Sequence, residues 1–82
     1  MAMGLSQSEV FVKQVVEVLK EERLRQGMSH EKLAEAAGVH RSTVSRTESG
    51  KMSPTLFVIH SMASVLKLDM ALLMKKAQST GK

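Results

Sequence analysis

Residues 29–51, SHEKLAEAAGVHRSTVSRTESGK, decide the fold of this chain. A short helical pattern runs from Ser29 to Ala37 and stops at Gly38. Val39 follows, and a second short helical pattern begins at once. Ser29 suits the N-cap of the first helix, because its hydroxyl accepts from an otherwise unpaired amide. Gly38 suits the left-handed exit. Two helices joined by a tight turn of about three or four residues form a helix-turn-helix. Such a unit is able to lay its second helix in the major groove of DNA.

Working outward, the periodicity predicts three more helices and no strand. The first helix is expected from about Ser8 to Arg25, with Val12, Val15, Val16 and Leu19 on its inner face. The helix after Gly38 is expected from about Arg41 to Glu48, with Val44 as its main buried residue and Gly50 as its stop. Ser53-Pro54-Thr55 opens the fourth, with Leu56, Ile59, Met62, Ala63 and Leu66 inward. Asp69 caps the fifth, with Met70, Leu73 and Met74 inward. The expected organisation is a flexible start at 1–7, one domain at 8–77 and a fraying tail at 78–82. The fold class is therefore all-α, a five-helix bundle.

Composition narrows the function classes. The chain has 82 residues and no cysteine, which excludes disulfides, zinc–thiolate sites and cysteine nucleophiles. The three histidines lie far apart on different elements and have no metal spacing, so neither a metal nor a cofactor is expected. No apolar run approaches the roughly 20 residues of a membrane span. The opening MAMGLSQSE lacks the pattern of a secretory signal, so a cytoplasmic location is expected. Net charge is +4, with the excess lying beyond Gly50 in Lys51, Lys67, Lys75, Lys76 and Lys82 against Asp69. Phe11 and Phe57 are the sole aromatics, too few for the stacking platforms of single-stranded nucleic-acid binding.

The chain resembles the helix-turn-helix family of phage repressors and Cro proteins, also called the xenobiotic-response-element family. The matching elements are L-K-E-E-R at Leu19–Arg23, G-M-S at Gly27–Ser29 and L-A-E-A-A-G-V at Leu33–Val39. They continue with S-T-V-S-R at Ser42–Arg46, E-S-G-K at Glu48–Lys51, P-T-L at Pro54–Leu56 and A-x-x-L at Ala63–Leu66. Two positions depart from the family pattern. Thr47 stands where a bulky apolar residue is usual, and Lys67 stands where a helix-ending Gly is usual.

The resemblance implies a lambda-repressor-like domain and assigns roles to residues. Arg41, Ser42 and Arg46, with Thr43 beside them, occupy the positions that face base edges. Arginine suits the two acceptors of guanine, while Ser and Thr are less selective. Ser29, His30 and His40, at helix N-termini, and Ser49, Lys51 and Ser53, past the second helix of the motif, occupy backbone-facing positions. Each is also an ordinary solvated surface residue when read by type alone. Arg23 and Glu48 occupy the positions of a family ion pair that orients the recognition helix. Phe57, Val58 and Leu72 are apolar where the family is often polar, so they are expected at a dimer interface. Val10, Phe11 and Val18 also lie off the inner stripe of the first helix.

The leading expectation is a homodimeric repressor that binds a double-stranded DNA operator. An antitoxin with a toxin as protein partner and a restriction–modification controller are open alternatives within the same fold. A protein-interaction module that has lost DNA binding is an alternative from another class. The basic residues of the reading helix argue against it. An enzyme is not expected, because no nucleophile–base–orienter order stands out.

Overall fold

The computed structural model describes residues 6–80, which form five helices. These are α1 (Gln7–Arg25), α2 (His30–Ala37), α3 (Arg41–Glu48), α4 (Leu56–Leu66) and α5 (Met70–Thr80). Each begins where a side chain takes up an orphan amide. The Ser6 hydroxyl accepts from the Glu9 amide at 3.1 Å, while the Glu9 carboxylate accepts from the Ser6 amide at 2.8 Å. This reciprocal box starts α1 a residue before the expected point. Ser29 caps α2 through the Lys32 amide, and Thr55 caps α4 through the Val58 amide. The Asp69 carboxylate accepts from the Ala71 amide at 2.7 Å and opens α5. Gly38 leaves α2 with φ +75°, the left-handed exit that its sequence position predicts.

The core lies where α1 crosses α4 and α5, with α2 and α3 closing the opposite side. Leu19, Leu33, Val44, Met62, Leu66 and Leu73 are fully buried there. Gln26 ties the end of α1 to the end of α4 by donating its side-chain amide to the Leu66 carbonyl at 2.9 Å. No single helix among the described residues is long and apolar enough to cross a membrane.

Four expectations need correction. Leu56 is 69% exposed rather than inward. Val58 is 8% exposed and belongs to the core rather than to a surface. Both follow from where α4 starts. Its buried stripe is Val58, Ile59, Met62, Ala63 and Leu66, and Leu56 sits roughly a quarter-turn away, in the first turn. Val18 is likewise buried, because α1 meets both α4 and α5 and so buries a broad face. Finally, α5 runs to Thr80, past the expected end at Ala77, and the Ala77 side chain is fully buried. The expected flexibility of residues 1–5 and 81–82 concerns positions outside the described residues.

Between α4 and α5 the chain turns by 103°. Lys67 ends α4 with φ +61°, in the left-handed region that favours glycine. A side chain in that region costs about 1–2 kcal/mol, whereas Gly costs about 0.5–1 kcal/mol in unfolded-state entropy. Lys67→Gly is therefore expected to raise stability by about 0.5–1 kcal/mol, read as an upward shift of the urea midpoint at constant slope. An unchanged or lower midpoint refutes the strain.

Candidate nucleic-acid interface

Helix α3 has eight residues, too few to persist alone in water. Its neighbours must hold it. At its start His40 acts as the N-cap: Nδ1 accepts from the Ser42 amide at 3.2 Å and lies 2.8 Å from the Ser42 hydroxyl. A nitrogen that accepts in this way carries no proton, which places the ring proton on Nε2. His40 is exposed, so this donor is available beyond the end of the helix. The sequence reading gave His40 a phosphate role and missed the capping role, because histidine is not among the usual caps.

Along α3, Val44 and Thr47 are buried, while Arg41, Ser42 and Arg46 are exposed and Thr43 is half-buried. The residues expected to read bases thus share the outward side. Ser42 gives its hydroxyl proton to His40, so it faces outward as an acceptor.

The far end of α3 is held by Arg23. Its Nε donates to Glu48 Oε2 at 2.7 Å and its Nη2 to Glu48 Oε1 at 2.9 Å. Its Nη1 donates to the Met28 carbonyl at 2.6 Å. The side chains of Arg23 and Glu48 are only 8% and 4% exposed. One guanidinium therefore joins α1, the α1–α2 turn and the last residue of α3. The planar fork suits this geometry, since two parallel bonds fix direction as well as distance. Burial alone pushes the Glu48 carboxyl up, but hydrogen bonds from Arg23 and His30 and their charges outweigh it and hold it below the usual carboxylate range.

His30 was expected to meet phosphate. The structure sets its Nε2 3.0 Å from Glu48 Oε1. An ionised carboxylate only accepts, so Nε2 is the donor. The Ser49 hydroxyl donates to the Arg46 carbonyl at 3.2 Å, which uses its one donor. Ser29, Lys51 and Ser53 are exposed. Gly50, at φ +80°, turns the chain away from the helix, and the Lys51 amide closes that turn on the Arg46 carbonyl at 2.9 Å. Lys51 accordingly lies outside α3, beyond its C-terminal end.

An apolar surface lies on the other helices. Leu56 and Phe57 are each 69% exposed in the first turn of α4, and Leu72 of α5 is 48% exposed.

A helix-turn-helix family model matches residues 19–73, a span that contains α2, α3 and α4 entire. The chain belongs to this family, of Cro/C1 type. The family is one of DNA-binding transcription regulators. A relative from Methanothermobacter thermautotrophicus (strain Delta H), named as an uncharacterized HTH-type transcriptional regulator, is 39% identical over 49 residues, or 60% of this chain and 71% of the relative. The crystal structure of the wild-type restriction–modification controller protein C.Esp1396I superposes with a TM-score of 0.77 at 22% identity. That match covers 84% of this chain and 91% of the controller. A point mutant of the controller gives 0.76 at 22% identity over 82% and 87% of the two chains. At this identity the likeness establishes a shared fold, the lambda-repressor-like all-α domain.

Two partners of the site were not legible in the sequence. The Met28 carbonyl is a backbone group, and every residue has one. His30 bonds to Glu48 across 18 positions, and no local pattern announces such a pair.

Removing one member of the buried pair leaves a charge without its counterion. Arg23→Met or Glu48→Gln is expected to cost about 3 kcal/mol, and the double variant less than the sum of the two. Additive losses would show that the two side chains do not act together. The pH dependence has a definite sign. Glu48 titrates lower in the folded chain than its usual 4.5, so its contribution is complete above that value and fades as pH falls through the folded value. Urea unfolding from pH 7 to pH 3 should show the gap between wild type and Glu48→Gln narrowing toward acid. A gap independent of pH would refute the assignment.

Proposed function

We propose that this chain is a sequence-specific regulator of transcription that binds double-stranded DNA as a homodimer in the cytoplasm and represses by occupying an operator. In this reading α3 lies in the major groove. Arg41 and Arg46 address base edges, with Ser42 and Thr43 beside them. Ser29, His40, Lys51 and Ser53 meet the sugar–phosphate backbone on either side.

One observation carries the reading. Glu48 is the sole acidic residue of α3, and it is turned inward and neutralised by Arg23. The outward side of the helix is left with Arg41 and Arg46 and no carboxylate of its own. A polyanion then meets no local repulsion from α3, and arginine presents the paired donors that guanine accepts. His40 Nε2 and the Lys51 ammonium flank the helix as donors for phosphate. A restriction–modification controller protein has the same fold, so that role fits this chain as well as a free-standing repressor does.

The dimer is argued from exposed apolar area. Leu56, Phe57 and Leu72 leave large hydrocarbon surface in water. Exposed apolar side chains of this size mark an interface where they cluster. Leu56 takes the place that the sequence assigned to Val58. A two-fold dimer reads successive major grooves when its recognition helices are roughly 34 Å apart.

Selection of bound sequences from random duplex DNA tests the reading and supplies the operator. On that operator Arg46→Ala should cost about 1–3 kcal/mol per half-site and relax preference at one base pair. Lys51→Ala should weaken all sequences alike and lower the salt slope by about one unit. If Arg46→Ala weakens every single-base operator variant equally, Arg46 is a phosphate anchor and not a reader. Sedimentation should show a dimer at micromolar concentration, and Phe57→Ser should shift it toward monomer. A wild-type chain that stays monomeric with and without DNA overturns the dimer.

A further inference from the structure

A cleft of about 380 Å³ opens between the N-terminal half of α1 and the turn that joins α3 to α4. Its walls include Glu9, Val12 and Lys13 from α1, Thr47 from α3, and Met52 and Ser53 from the turn. Of these walls the DNA-binding reading uses Ser53 alone, at the rim of the turn. We propose that it is a binding site for a small uncharged amphiphile, a hydrocarbon body bearing a single hydroxyl or carbonyl.

Three observations on the walls lead there. The first is Thr47. It is 1% exposed, and its hydroxyl has no hydrogen-bond partner. Buried polar groups are nearly always paired, and an apolar residue of the same shape avoids the loss. A threonine in a helix populates two side-chain rotamers. Thr47 is one of the residues that line the cleft, and rotation about its Cα–Cβ bond re-aims the hydroxyl. A ligand oxygen there completes its bonding.

The second observation is size and lining. The volume falls within the roughly 300–1,000 Å³ of small-ligand sites. Val12 and Met52 supply apolar wall, and the methionine is adaptable in shape. The third is charge. The cleft has one carboxylate and one ammonium on its walls, Glu9 and Lys13. Glu9 is already bonded to the Ser6 amide. No excess of either sign is left to hold an ion, which favours a neutral molecule over a carboxylate or an amine. The site stands whether or not α3 reads DNA, because neither its walls nor its test involves the outward side of that helix.

The test uses the full chain and two probes of nearly equal shape, benzyl alcohol and toluene. Binding is followed by NMR through the methyl signals of Val12, Thr47 and Met52. Saturable shifts confined to these methyls are expected, with benzyl alcohol the tighter probe. Thr47→Val keeps the shape and removes the hydroxyl. It should weaken benzyl alcohol about three- to tenfold and leave toluene unchanged. Thr47→Ser keeps the hydroxyl and should keep the preference for the alcohol, which guards against a valine variant that fails to fold. The absence of a saturable shift with both probes overturns the site. Equal affinity of the two probes for the wild-type chain overturns the role of Thr47 and, with it, the amphiphile.

Discussion

The C-terminal end of α3 is held in place by the Arg23 guanidinium. Two of its nitrogens hold Glu48 and the third holds the Met28 carbonyl. These contacts fix the end of α3 to α1 and to the turn that leads into α2. An eight-residue helix has little stability of its own and no fixed direction without such a tie. The packing of Val44 sets its depth. The forked ion pair sets its tilt, since two parallel bonds leave the carboxylate little rotational freedom. A lysine at Arg23 would supply the charge but not the fork.

The same pair shapes the electrostatics of the outward side. Bringing a carboxylate and a guanidinium out of water costs much of what their attraction returns, so such a pair adds little net stability. Its larger effect is on geometry and charge. By drawing Glu48 inward it removes the one anion of α3 from the surface that carries Arg41 and Arg46. His30 adds a second donor to the same carboxylate, so the start of α2 is joined to the end of α3 across the motif. Orientation of α3 and polarity of its outward side thus draw on one cluster beneath it.

At the opposite end, the His40 cap and the Ser42 hydroxyl form a small closed set of bonds. Their consequence is directional. The imidazole proton is forced to Nε2, away from the helix, and Ser42 is left as an acceptor. A residue type inferred only as a phosphate donor therefore also serves to start the helix. Ser49 shows the reverse case, where a plausible donor is consumed by the carbonyl of Arg46.

By itself the sequence determined the number, order and approximate ends of the helices, the cap residues Ser29 and Asp69, the left-handed exit at Gly38, and the tight turn between α2 and α3. These are local properties: each follows from dihedral preference, capping chemistry or periodicity within a few residues. It also determined, through the family resemblance, that Arg23 faces Glu48 and that Arg41, Ser42 and Arg46 lie on the outward side of α3. Only the tertiary structure decided what lies far apart in the chain. It set Val58 inside and Leu56 outside, because the depth of burial depends on where α1 and α5 cross α4. It set His30 against Glu48, and it left the Thr47 hydroxyl buried without a partner. The physical reason is common to all three. A side chain's partner is set by which helix packs against it, and that packing minimises the free energy of the whole core rather than of any one segment.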